Sequence, residues 1–233
     1  MKLSAAEDLD RTRDHWWWRP GWAPGRRMIT FHLTMEHAPA VRELASAARE
    51  ALAPFDALDL VPERGLHLTM TGVGFADELT DAQVQQIGER VFTAWRQQIV
   101  GPTLPRLEFG ELFVAHESAM LLAEPSPWLA ELSQAQRDAV DEIVGPQSWG
   151  MFRPHLSVAY CNGAIDPAPL IEALTPVAAA APEQIHARPT LTLMRLGRDD
   201  HEYAWDVLRQ EASPAPTLDD DAGPGPSNGR GPR

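Results

Sequence analysis

Residues 65–72 read Gly65-Leu66-His67-Leu68-Thr69-Met70-Thr71-Gly72, a short run bounded by glycines with an imidazole and a hydroxyl two positions apart. If this run is a strand, alternation puts His67 and Thr69 on one face and Leu68 and Met70 on the other. The apolar face is core. The polar face carries an imidazole and a hydroxyl roughly 6 to 7 Å apart at their Cα atoms, close enough for both to reach one bound anion. The spacing recurs at His155-Leu156-Ser157-Val158 and at His32-Leu33-Thr34-Met35. With 12 Thr, 9 Ser and eight histidines, composition alone yields about 0.14 such tetrapeptides with both other positions apolar, against three present. His116-Glu117-Ser118-Ala119 meets only a looser form, and its charged second position suits an exposed turn.

Two such strands side by side place two imidazoles on either side of a phosphate, with two hydroxyls to hydrogen-bond its oxygens. One His then takes a proton from an attacking water while the other supplies one to the leaving oxygen, and this chemistry formally needs no metal or other cofactor. A second class of enzyme uses His32, His67 and His155 together as a three-histidine zinc site, which leaves the hydroxyls unexplained. A third is a module that binds RNA or nucleotide without turnover.

Outward from these motifs, helices and strands alternate in a pattern that occurs twice. Strands are expected at 28–34 and 65–72, with a helix over 39–53 between them whose stripe is Val41, Leu44, Ala45, Ala48 and Leu52. Thr80 and Gln83 have the capping-box form and open a helix with Val84, Ile87, Val91 and Trp95 on one face. A hairpin over 106–115 and 119–123, turning at His116-Glu117-Ser118, precedes a helix from Ser126-Pro127 to Gly145-Pro146. A strand over 154–160, a short helix over 166–174 and a closing hairpin over 190–196 and 203–208 complete the series. The fold class expected is α+β with antiparallel sheets.

Residues 1–25 form a Trp-rich arm holding Trp16, Trp17, Trp18 and Trp22, half of the eight tryptophans. Its expected role is to cover the core, with base stacking as the other reading. Residues 26–211 make the folded domain, and 212–233, rich in Pro, Gly and Asp, read as a disordered tail. The net charge of −13 disfavours long duplex nucleic acid and leaves nucleotides or short RNA ends as partners. No apolar run is long enough to span a membrane, and the single cysteine, Cys161, fits a reducing cytoplasm.

The paired tetrapeptides resemble the hallmark of the two-histidine (2H) phosphoesterase superfamily, of the 2′-5′ RNA ligase and cyclic nucleotide phosphodiesterase type. Gly72-Val73-Gly74-Phe75 after the first motif and Phe152-Arg153-Pro154 before the second add to the likeness, which covers roughly residues 15–210. It implies two lobes with antiparallel sheets and flanking helices, related by a pseudo-twofold axis around a central groove. It further implies His67 as general acid toward the leaving ribose oxygen, His155 as the base that activates water, and Thr69 and Ser157 as phosphate-binding hydroxyls. The reaction implied is opening of a 2′,3′-cyclic phosphate to a 2′-phosphate, with 2′-5′ ligation as a variant. His32 and Thr34 are read either as groove-facing substrate contacts or as structural residues, and Arg153 either as a phosphate contact or as a surface charge. Tyr160 shares the parity of Leu156 and Val158 and is read as core, at most one of Arg26 and Arg27 is expected to face the groove, and Phe75 is a candidate for base stacking or for a turn.

Overall fold

The computed structural model describes residues 1–100 and 104–214. Its strands are β1 (Lys2–Ala5), β2 (Met28–Thr34), β3 (Leu58–Leu60), β4 (His67–Phe75), β5 (Leu107–Val114), β6 (Ser118–Ala123), β7 (His155–Cys161), β8 (Ile185–Ala187), β9 (Thr190–Gly197) and β10 (Ala204–Ala212). The helices are α1 (Pro39–Leu52), α2 (Asp81–Ile99), α3 (Pro127–Ile143) and α4 (Ala168–Ala180). All strands belong to one sheet in the order β1-β5-β6-β7-β4-β2-β9-β10, with β3 beside β7 and β8 beside β5. Every pairing is antiparallel except β1 on β5.

The α+β class and the two lobes follow from how this sheet is divided. Each half is a well-paired unit, antiparallel apart from β1 on β5, and the halves meet where β4 touches β7 through one bridge, Leu68 opposite Leu156. Helices α1 and α4 pack on the half that contains β5 and β7, while α2 and α3 pack on the half that contains β4 and β9. Helix α1 leaves β2 in one half and covers the other, so it straps the halves together. Its predicted stripe, Val41, Leu44, Ala45, Ala48 and Leu52, is buried throughout. Helix α2 opens with the reciprocal Thr80–Gln83 capping box, and Gly88 lets it close on the sheet, where a Cβ would stand 3.3 Å from Leu193.

The structure shifts several expected boundaries. The strand predicted from Gly65 starts at His67, because Glu63–Gly65 coil into a single 3₁₀ turn. Helix α4 continues past Leu174 to Ala180, since Leu170, Leu174 and Ala178 form a buried stripe at helical spacing and Pro176 lies on the outer side. The three-residue strands β3 and β8 are too short for any alternation to register. Strand β10 runs through Ala212, and the Ser213 amide donates to the Pro189 carbonyl, so the segment expected as tail is ordered at its start. The rest of that expected tail, 215–233, lies outside the described residues. The arm at 1–25 supplies a strand of the sheet, and Trp16 is buried while Trp17 and Trp18 stay exposed.

Leu68 is fully buried and forms the bridge between the halves. Leu68→Ala should therefore lower unfolding free energy by about 2 to 5 kcal/mol in urea denaturation. Thr80→Ala, which removes only a cap, should cost about 1 kcal/mol. A Leu68→Ala loss no larger than that of the cap variant would show that the halves are held together elsewhere.

Candidate functional site

Strand register decides which polar side chains meet. Extending the Leu68–Leu156 pair by one residue each way sets His67 across from Ser157 and Thr69 across from His155. All four project from the face opposite the two leucines, so each motif's imidazole stands over the other motif's hydroxyl. The local geometry also repeats. His67 Nδ1 lies 2.7 Å from the carbonyl oxygen of Gly65, and His155 Nδ1 lies 2.8 Å from that of Arg153. A carbonyl only accepts, so each Nδ1 carries the proton and each Nε2 is left with its lone pair. The 3₁₀ turn ending at Gly65 and the extended Arg153-Pro154 thus perform the same task, two residues upstream of each histidine.

A bulge follows each motif. Pairing skips Met70 on β4 between Thr69 and Thr71, and skips Val158 on β7 between Ser157 and Ala159. Leu68, Met70, Leu156 and Val158 are buried as expected of the apolar positions. Beyond the bulge, however, alternation restarts with the opposite parity. Tyr160 is accordingly buried on the groove side, in the same cavity wall as His67 and with the Ser157 side chain beside its phenol. Parity counting from His155 assigned it to the core because a one-residue bulge leaves no mark in a short sequence run.

The environments of the two histidines differ. His67 is buried, stacked on His32 with ring centroids 4.5 Å apart and planes 10° apart, and flanked edge-on by Tyr203 and Trp205. Desolvation, reinforced by the nearby His155 and opposed by the Gly65 carbonyl, pushes its pKa down to about 4. His155 is half-buried. Thr69 is exposed on the groove face and Ser157 is buried.

The expected substrate contacts fare differently from the motif pairs. His32 is 1% exposed with neither ring nitrogen hydrogen-bonded, and burial beside His67 holds its pKa well below the usual value. It backs His67 and presents no surface to a ligand. The Thr34 hydroxyl is buried and engaged by the Thr190 carbonyl and the Thr192 hydroxyl at 3.3 and 3.0 Å. Side chains of neighbouring strands cover both residues: the rings of His67 on β4 and Trp205 on β10 lie against His32, and Thr192 on β9 engages Thr34. The Arg153 side chain is exposed and makes no ion pair among the described residues, while its carbonyl orients His155. Arg26 pairs with Asp77 and Glu78 over the Phe75 ring, and Arg27 pairs with Asp199, which removes all three from the groove.

The three-histidine zinc arrangement does not form. His32 and His67 lie face to face, so their in-plane lone pairs run parallel and do not converge on one point. Among the described residues no three His, Cys, Asp or Glu side chains converge for a metal.

Residues that the sequence reading passed over complete the groove. His15 reaches in from the arm, stacks on Tyr160 at 4.2 Å, and bonds Tyr203 and Glu117. Glu117, expected in an exposed turn, also accepts from Arg19 at 2.6 Å and Trp17 at 3.3 Å. Arg198 is buried against Trp16, Trp22 and Tyr203, and donates to the His15 carbonyl at 2.8 Å. These residues come from three distant segments, 15–19, 117 and 198–203, and no local spacing connects them. The density of aromatic residues in the arm was the only available signal.

No curated protein matches the sequence. Among solved structures, TT0787 of Thermus thermophilus is 18% identical over 80% of this chain and 97% of its own, with a TM-score of 0.55. E. coli LigT in apo form is 15% identical over the same shares, with a TM-score of 0.52. LigT complexed with NADP⁺ aligns at 14% identity over 80% and 98%, with a TM-score of 0.50. At these identities the likeness establishes the fold. The family model described as the 2′-5′ RNA ligase superfamily matches residues 55–200, a span that holds both His-x-Thr/Ser motifs, the β4–β7 junction and helices α2, α3 and α4. The chain belongs to the 2′-5′ RNA ligase superfamily.

Proposed function

We propose that this protein is a phosphoesterase that opens 2′,3′-cyclic phosphates of nucleotides or RNA ends, leaving a 2′-phosphate, with His67 and His155 as its acid and base. The observation that carries this reading is the pair of imidazoles on adjoining antiparallel strands, each with Nδ1 tied to a carbonyl two residues upstream and Nε2 free. Thr69 and Ser157 stand between them as donors to the non-bridging phosphate oxygens. In the forward step the water oxygen bonds to phosphorus as the P–O3′ bond breaks. His155 Nε2 takes the water proton, and the Nε2 proton of His67 passes to O3′. Ligation is the same ring opening with a hydroxyl of a second RNA end in place of water. Arg198, which has no carboxylate partner among the described ion pairs, contributes a field that favours an anion despite the net charge of −13. LigT binds NADP⁺ in one of its structures, which favours a nucleotide here. The buried Cys161 is compatible with a reducing cytoplasmic setting.

His67→Ala and His155→Ala should each lower kcat on 2′,3′-cyclic AMP by about 10² to 10⁴. Thr69→Val and Ser157→Ala should also reduce it, while His116→Ala should leave it unchanged. Phosphorus NMR of the product distinguishes 2′- from 3′-phosphate. Equal damage from His116→Ala together with a silent His155→Ala would refute the pairing.

The acid role of His67 has a further consequence. With its pKa near 4, the imidazole is neutral at pH 7 in the empty groove, and the negative charge of a bound anion must raise that pKa before it can donate. Between the two values the bound state holds more protons, so anion binding takes up a proton and weakens as pH rises. Sulfate, which does not itself titrate near neutrality, is a suitable probe. Calorimetry at pH 6 in buffers of different ionisation heat should record proton uptake by the parent and a smaller uptake by His67→Ala. No uptake in the parent would assign the acid role elsewhere.

A further inference from the structure

His15 is fixed at every polar atom. Its amide donates to the Cys161 carbonyl at 2.7 Å, and its carbonyl accepts from Arg198 at 2.8 Å. Its Nδ1 lies 3.2 Å from Glu117 Oε2, and its Nε2 lies 2.9 Å from the Tyr203 hydroxyl. Burial and the neighbouring Arg19 and Arg198 push its pKa down to about 3, so the ring is neutral. A carboxylate accepts only, so Nδ1 holds the single ring proton and Nε2 accepts. The Tyr203 O–H then donates to Nε2, and the phenolic oxygen has only lone pairs left to offer.

Tyr203 occupies a telling position. Its ring meets His67 edge-on at 5.9 Å and Tyr160 at 5.3 Å. Together these three line a cavity of about 250 Å³ that also holds Asp59, Asp200, His201 and Glu202, with Asp59 paired to His201 and Glu202 to Arg64, and no Lys or Arg is among its described lining residues. With no Lys or Arg on its described lining, the cavity has no strong anchor for a phosphate, and the Tyr203 phenolic oxygen is the acceptor it offers to a neutral donor.

We propose that Glu117, His15 and Tyr203 form a relay that holds the Tyr203 phenol as a hydrogen-bond acceptor beside His67, where it selects the nucleoside part of the substrate through a hydroxyl or amino donor. The inference rests on the phosphoesterase reading of the same groove. It makes Tyr203 a specificity-determining contact and His15 and Glu117 positioning residues, so the N-terminal arm becomes part of the site in addition to covering the core. The motif pair handles the phosphate, and the relay handles what the phosphate is attached to.

The test compares adenosine 2′-phosphate with inorganic phosphate by titration calorimetry on the full chain. Tyr203→Phe keeps the ring and removes the acceptor, and His15→Phe keeps the stack on Tyr160 and removes the relay. Each should weaken adenosine 2′-phosphate about 10-fold, the usual worth of one such hydrogen bond, and leave inorganic phosphate unchanged. Loss of affinity for both ligands, or for neither, would overturn the proposal while leaving the phosphoesterase reading intact. A parent protein that binds neither ligand would sink both. If His15→Phe fails to fold, nitrogen NMR of histidine-labelled parent protein decides the relay directly: an Nδ1–H, Nε2-bare His15 at neutral pH is required, and the opposite tautomer would make Tyr203 a donor and refute it.

Discussion

The structure depends on one contact, the antiparallel bridge between Leu68 and Leu156 where the two halves of the sheet join. Because side chains alternate along a strand, burying those two leucines on one face forces four polar groups onto the other. Because the pairing is antiparallel, each histidine lands beside the hydroxyl of the opposite motif. A slip of one residue would turn the histidines into the core and the leucines into the groove. The site is thus a by-product of the core at the junction, and hydrophobic burial enforces its register.

A cost accompanies that placement. Three imidazoles, His15, His32 and His67, are held below their ordinary pKa mainly by desolvation. Each is a neutral group in the native state and charges more readily when unfolded, so together they lower stability as pH falls through roughly 6.5 toward 4. His32 contributes to this penalty with no hydrogen bond in return among the described residues. What it provides is a flat wall behind His67, which limits where that ring can turn.

The arm joins the fold through backbone and side chain alike. Lys2–Ala5 pair with β5, and Trp16 Nε1 donates to Asp59 at 2.8 Å. Arg198 and Cys161 clamp His15 between them. The groove therefore has walls from both ends of the chain, and Arg19 lies over the ring of the exposed Trp17.

Periodicity and spacing in the sequence determined the chemistry-bearing motifs, the capping box of α2, the buried stripe of α1 and the twofold repetition of strand and helix, because each depends on residues a few positions apart. The convergence of His67, His155, Thr69 and Ser157 on one face was legible for that reason, and their roles are those proposed above. Tertiary structure alone decided the rest. The bulges at Met70 and Val158 reverse parity within a strand, which brings Tyr160 to the groove against the alternation count. Which side chains of other strands lie over β2, His67 and Trp205 against His32 and Thr192 against Thr34, determines whether these two meet a ligand or a neighbour, and that is set by pairings between distant segments. His15, Glu117, Tyr203 and Arg198 come together only because burial and hydrogen bonding are satisfied across the whole fold, a constraint that no local window of sequence contains.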